Sequence, residues 1–196
     1  VALAEKVKTR AIVAEALKGP RKGLGYVRVN AFDTEHCFGD LLVVVANGVD
    51  GIFLPKVETA AQLQAIDWMV TQLEREKSLP IGKLDILPII ETGRGIANIH
   101  EIAMSGTRVK RLSFGAGDYT KDMAMRWTRD EAELMHARSE IAVASRSARL
   151  EAPVDTVWVH INDTDGCVKS AETVRDMGCQ GKLCICLLYT SDAADE

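Results

Sequence analysis

Six apolar runs alternate with amphipathic stretches along this chain, at 24–30, 51–56, 85–91, 109–115, 155–161 and 181–185. Within each run apolar residues fall at consecutive positions rather than at every second one. That pattern predicts strands covered on both faces, as in a parallel sheet flanked by helices. Between the runs, Leu63, Ile66, Val70 and Leu73 recur at helical spacing. Thr59-x-x-Gln62 and Thr128-x-x-Glu131 read as capping boxes. Gly106 and Gly178 stand where helices should stop, and the stretch 2–18 is helix-like up to Gly19-Pro20. Repeated strand-then-helix units predict an α/β fold. Two closures fit: an eight-stranded (β/α)₈ TIM barrel that is incomplete here, or an open doubly wound sheet. No Gly-x-Gly-x-x-Gly follows the first run and there is no P-loop, which weighs against a nucleotide-binding sheet. The chain opens in a helix and closes in a strand, so both ends read as cut, with the first and last strands of a barrel missing. No internal linker or second domain is visible between residues 1 and 185.

The 196 residues suffice for a sizeable core, and 47% of them are hydrophobic. Residues 186–196 read as the translation of a sequencing adaptor rather than native protein. Asp192, Asp195 and Glu196 in that tail supply most of the net charge of −4, so the acidity points to no partner. No basic block suggests nucleic acid. No apolar run reaches the ~18 residues of a membrane span, and no signal peptide is recognisable. The start is not a Met, which leaves room for an upstream targeting signal. The cysteines, Cys37, Cys167, Cys179, Cys184 and Cys186, show no paired framework and read as buried free thiols of a reducing, cytoplasmic compartment.

Chemistry concentrates where the runs end. Glu91 closes Asp85-Ile-Leu-Pro-Ile-Ile-Glu91 and Asp118 closes Leu112-Ser-Phe-Gly-Ala-Gly-Asp118. In a barrel that end is the chemical face. Two carboxylates there make a hard oxygen-donor site suited to Mg²⁺. Thr92-Gly93-Arg94-Gly95 predicts a close backbone approach to a ligand and a helix N-terminus that favours anions. Gly115 and Gly117 suggest a nest of backbone N–H groups before Asp118, for which a helix N-cap is the plainer role. Arg28, inside Val27-Arg28-Val29, predicts either a structural ion pair or a forked grip on a substrate carboxylate or developing oxyanion. Lys56 and Glu58 at another run's end could pair with each other or contact ligand. Trp158, His160 and Asn162 alternate along one predicted strand and so should share a face. His36, His100 and His136 lack metal-ligand spacing and read as surface or packing residues.

Taken together, Arg28-Val-Asn-Ala, Leu54-Pro-Lys-Val-Glu58, Ile90-Glu-Thr-Gly-Arg-Gly95, Phe114-Gly-Ala-Gly-Asp118 and Gly181-Lys-Leu-Cys-Ile185 resemble, in order and spacing, the citrate lyase β-subunit and malyl-CoA lyase group of the HpcH/HpaI aldolase/citrate lyase family. The resemblance covers residues 1–185. It implies a TIM barrel that assembles into homotrimers or hexamers. It also implies Mg²⁺-dependent carbon–carbon cleavage of a 3-hydroxyacyl thioester, carried on coenzyme A or an acyl-carrier protein, to an acetyl-type thioester and a 2-oxo acid. By matching position, Glu91 and Asp118 would hold the metal and Arg28 would be catalytic and contact substrate. The Gly117–Asp118 backbone would hold the oxo-acid carboxylate, and Lys56 would be a further substrate contact. Members of the group open with an acidic first strand and continue past Gly-Lys-x-x-Ile to a lid. That lid supplies a catalytic acid to a neighbouring subunit. Neither part is in this chain, so the chain by itself is expected to be inactive and poorly stable. Two other readings are a class II pyruvate-type aldolase that uses no CoA, and a non-catalytic thioester-binding or scaffold paralogue.

Overall fold

The computed structural model describes residues 5–185. The adaptor-like tail at 186–196, including Cys186, lies outside the described residues. Six parallel strands are joined in unbroken sequence order: β1 Tyr26–Arg28, β2 Gly51–Leu54, β3 Asp85–Ile90, β4 Ser113–Phe114, β5 Val154–Asp155 and β6 Gly181–Lys182. Helices fill the connections: α1 Lys6–Ala16, α2 Cys37–Val44, α3 Ala60–Glu76, α4 Gly93–Ala97, α5 Ile99–Ala103, α6 Ala116–Asp122, α7 Met135–Ser147 and α8 Thr164–Asp176. A doubly wound sheet reverses strand order at a switch point, whereas a barrel never does. The unbroken order therefore gives a curled, incomplete barrel sheet wrapped in helices.

β3 is the central element, and all six of its residues are buried. Ile52, Leu54, Ile86, Ile90, Leu112 and Phe114 from the strands meet Leu41, Leu63, Ile66, Ile99, Ile102 and Leu134 from the helical layer, all fully enclosed. α3 follows its sequence pattern. Leu63, Ile66, Val70 and Leu73 form its buried stripe. Thr59 and Gln62 make the reciprocal capping box. Gly106 and Gly178 both adopt positive φ, the left-handed conformation that ends a helix.

Regular pairing is shorter than the apolar runs. The strand expected over 24–30 spans Tyr26–Arg28, and those expected over 109–115, 155–161 and 181–185 shrink to two residues each. Hydrogen bonds continue past these limits, for example from Val154 N–H to the Leu112 carbonyl at 2.9 Å and from Leu183 N–H to the Asp155 carbonyl at 2.8 Å. Beyond β5 the chain turns out of the sheet. Trp158 is buried and its indole N–H donates to the Asp163 carbonyl at 3.1 Å, while Asn162 is exposed. Trp158, His160 and Asn162 thus do not line one strand face. Asp163 instead caps α8 by accepting from Gly166 N–H.

The second expected capping box is replaced by a buried ion network. The Thr128 hydroxyl bonds Asp130 and Glu133, each at 2.6 Å, and α7 starts only at Met135. Glu131 turns inward at φ 54°, where Arg138 donates to it at 2.8 Å and Ser170 at 2.6 Å. Arg138 also grips both Asp155 oxygens, at 3.0 and 2.9 Å, and Lys182 reaches Asp155 at 2.6 Å. A buried guanidinium gains more from two carboxylates than an exposed cap gains from one, so Glu131 is drawn inward. This network ties β5 and β6 to α7 and α8. Arg138→Met leaves two buried carboxylates short of a partner and is expected to cost about 3–5 kcal/mol in urea unfolding; a loss under about 1 kcal/mol, as for an exposed pair, would show the network to be unimportant.

Candidate active site

Four side chains that carry charge stand at the C-terminal ends of four adjacent strands. Arg28 ends β1, Lys56 follows β2, Glu91 follows β3, and Asp118 lies in the turn after β4. Parallel pairing in sequence order places them side by side, since every strand ends on the same face.

Glu91 is 4% exposed. Its Oε1 accepts the Lys56 backbone N–H at 2.9 Å. Gly115 is what lets β4 come so near: a Cβ there would sit 2.6 Å from Glu91 Oε2 and 2.8 Å from its Cβ. Burial first, and then the negative charge of Asp118, push the Glu91 carboxyl above the ordinary range. Arg28, the Lys56 N–H and the Lys56 charge pull it back only in part. Asp118 is half-buried and occupies the first turn of α6, whose N-cap is Gly115. It is therefore not itself the cap, although an acid in the first turn gains from the helix dipole. Among the described residues, neither Gly117 N–H nor Asp118 N–H has an acceptor, while Ala116 N–H is taken by Thr156 Oγ1.

Lys56 links the two acids. Its backbone holds Glu91 and its ammonium lies 3.8 Å from Asp118 Oδ2. It does so from φ 53°, a left-handed conformation that costs a non-glycine residue about 1–3 kcal/mol. The expected Lys56–Glu58 pair does not form, because Glu58 faces Arg94 at 3.8 Å instead. Arg28 is exposed and makes no hydrogen bond or close ion pair among the described residues, although its charge acts on Glu91. With Lys56 it reaches into a cavity of about 720 Å³ beside α1 and α2, whose wall also includes Asn30, Val27 and Pro55. Glu91 and Asp118 are not part of that wall.

Thr92-Gly93-Arg94-Gly95 serves packing rather than ligand approach. Gly93 N–H is already bonded to Asp122 Oδ2 at 2.8 Å, and Gly95 N–H to Thr92 Oγ1 at 3.0 Å. A Cβ on Gly95 would lie 2.8 Å from the Val57 carbonyl oxygen. Asp122 and Thr156 carried no sequence signal, and both contacts are long-range. His36 and His100 stand 3.6 Å from Glu35 and Glu140 respectively. Among the described residues no three His, Cys, Asp or Glu side chains gather as a metal centre. A pair of acids does fit Mg²⁺, which keeps several waters and substrate oxygens of its own. The like-charged, partly buried pair also carries negative charge that a cation would relieve.

The raised Glu91 carboxyl sets a pH dependence. The folded chain holds this proton more tightly than the unfolded chain, so Glu91 favours folding at acid pH. That contribution declines above the ordinary value of 4.5 and is wholly lost above the raised one. Metal-free Glu91→Gln is therefore expected to melt a few degrees above the parent at pH 7, about 2–4 °C for each kcal/mol relieved, with the gain vanishing near pH 4. A melting point lowered equally at both pH values would contradict this origin of the shift.

Residues 1–186 match the family model described as HpcH/HpaI aldolase/citrate lyase. The chain is 36% identical over 184 residues to the citrate lyase subunit beta of Leuconostoc mesenteroides subsp. cremoris, covering 93% of this chain and 61% of that protein. It is 32% identical over 207 residues to the L-malyl-CoA/beta-methylmalyl-CoA lyase of Cereibacter sphaeroides, covering 94% of this chain and 64% of that one. The chain thus spans somewhat under two thirds of these relatives' length. Among solved structures it superposes on a citrate lyase from Burkholderia xenovorans LB400 with TM-score 0.89 at 19% identity, covering 97% and 63% of the two chains. It also superposes on the citrate lyase beta subunit from M. tuberculosis complexed with oxaloacetate and magnesium, with TM-score 0.77 at 24% identity, covering 96% and 78%. The family model spans nearly the whole chain and relatives above 30% identity agree with it: the chain belongs to the HpcH/HpaI aldolase/citrate lyase family.

Proposed function

We propose that this chain supplies the metal- and substrate-binding half of a carbon–carbon lyase acting on a 3-hydroxyacyl thioester. One observation carries the reading: Glu91 and Asp118 are held together at the ends of adjacent strands against their mutual repulsion, with Arg28 and Lys56 on the next two strands. Nothing in packing requires two neighbouring carboxylates there. Of the relatives, one is a citrate lyase subunit and another a malyl-CoA lyase, which supports a thioester over a free aldehyde as the substrate class.

In this reading Glu91 and Asp118 would hold Mg²⁺, which would supply Lewis-acid polarisation of the substrate's oxygens. The N–H groups of Gly117 and Asp118 would donate to the carboxylate end of the 2-oxo acid. Arg28, exposed and lining the cavity, would offset negative charge on the departing thioester enolate. The reaction is a retro-Claisen cleavage. A base takes the hydroxyl proton, the oxygen's electron pair forms the ketone, and the carbon–carbon pair leaves as the enolate, which is then protonated at carbon. Lys56, whose ammonium stands beside Asp118, also lines the cavity that Arg28 shares and would be a further substrate contact. The substrate class spans citryl, malyl, methylmalyl and citramalyl thioesters.

Three measurements test the reading. The 196-residue chain is expected to bind Mg²⁺ by calorimetry, and Glu91→Gln or Asp118→Asn to abolish that binding. In a barrel of the relatives' full length carrying these residues, either substitution is expected to lower thioester cleavage at least about 100-fold, since the metal contributes several kcal/mol of charge stabilisation. Cleavage near the parent rate at limiting Mg²⁺ would refute the assignment. Protection from heat unfolding by coenzyme A separates a thioester lyase from a CoA-independent aldolase, and no Mg²⁺ binding at all would favour a scaffold.

A further inference from the structure

α6 carries Asp118 in its first turn, yet it is only seven residues long. Isolated helices of that length do not persist in water. Asp118 also stands near the like charge of Glu91, with the Lys56 ammonium 3.8 Å from its Oδ2. Buried Ala116, Tyr119 and Thr120 pack α6 into the core, with Tyr119 edge-on to Phe114, and two hydrogen bonds fix its ends.

At its start, Ala116 N–H donates to Thr156 Oγ1 at 2.9 Å, with both residues buried. Thr156 directly follows Asp155, whose carboxylate is gripped by Arg138 and Lys182 from the helical side. The hydroxyl is thus carried on backbone anchored from the opposite face. At the other end, Asp122 Oδ2 accepts Gly93 N–H at 2.8 Å, two residues beyond Glu91. The fit there is close: a Cβ on Gly93 would meet Met123 Sδ at 2.4 Å. One end of α6 is therefore tied to β5 and the other to the turn that follows Glu91.

We infer that Thr156 and Asp122 are positioning residues, a two-ended latch that fixes Asp118 relative to Glu91. The inference rests on the metal reading of that pair. Neither residue touches the reacting atoms. Thr156 also takes up Ala116 N–H, so that at the start of α6, among the described residues, the Gly117 and Asp118 N–H groups remain for a ligand's carboxylate. In the terms of metal-site chemistry these groups act on the ligands from behind, a role whose loss commonly lowers metal affinity about 10–100-fold.

Thr156→Val keeps the side-chain shape and removes the acceptor, while Thr156→Ser keeps the acceptor. Mg²⁺ affinity is measured by calorimetry on the parent and both variants, with amide hydrogen exchange at Tyr119, whose N–H bonds the Gly115 carbonyl in the first turn of α6. The latch predicts that Thr156→Val weakens Mg²⁺ about 10–100-fold and speeds exchange at Tyr119, and that Thr156→Ser restores both. A Thr156→Val protein that exchanges faster but binds Mg²⁺ like the parent would make the threonine merely structural and overturn the inference. Unchanged exchange and unchanged affinity would overturn it as well. A parent that takes up no Mg²⁺ would overturn the metal reading itself, together with the inference built on it. Asp122 is exposed, so Asp122→Ala should fold even where Thr156→Val does not. It too is expected to weaken Mg²⁺, whereas Asp122→Asn, which keeps an acceptor oxygen, is not. Parent-like affinity in Asp122→Ala would break the latch at that end.

Discussion

Parallel neighbours cannot be joined by a tight turn; each strand must be followed by a crossover that carries the chain back to the start of the next. When the crossovers keep one hand and the strands stay in sequence order, all strand ends gather on one face. That constraint places Arg28, Lys56, Glu91 and Asp118 side by side, although the first and last are far apart in the chain. The fully buried β3 sits at the middle of this arrangement and fixes the most enclosed of the four, Glu91.

Buried acids in this protein fall into two kinds. Glu74 and Asp40 are also removed from solvent, and burial alone would push both carboxyls up. Hydrogen bonds from Arg108, Gly82 and Leu84 in one case, and from Asn30 and Arg10 in the other, outweigh that effect and hold both below the usual range. Asp155 has Arg138 and Lys182. These acids fasten elements together. Glu91 is different: it has one backbone N–H and another acid for a neighbour, and its carboxyl is pushed up rather than down. A buried carboxylate left under-compensated among residues that hold it there is the feature on which the proposed metal reading rests.

What was legible in the sequence was local. The Leu63–Leu73 stripe, the Thr59–Gln62 capping box and the turns at Gly106 and Gly178 each depend on residues within a few positions. The strand-end acids were legible too, because the apolar run and its terminating acid are contiguous. Long-range bonds were not. Thr128 and Glu131 have capping-box spacing, but Arg138 and Ser170 compete for Glu131 through the tertiary fold. The glycines around Arg94 suggested a ligand, yet Asp122 and the Val57 carbonyl fill their surroundings. Strand length was overestimated at β4, β5 and β6, since apolar residues enter the core from irregular extended chain as readily as from a regular ladder.

The central claim is that Glu91 and Asp118 share one divalent cation. Its most direct test is a crystal structure of this protein grown with Mn²⁺ in place of Mg²⁺, with anomalous scattering used to locate the metal. The account predicts a single strong anomalous peak bonded to one carboxylate oxygen from each residue at roughly 2.1 Å, with its other positions filled by water. A peak held by other residues, or none beside Glu91 and Asp118 at saturating Mn²⁺, would contradict it.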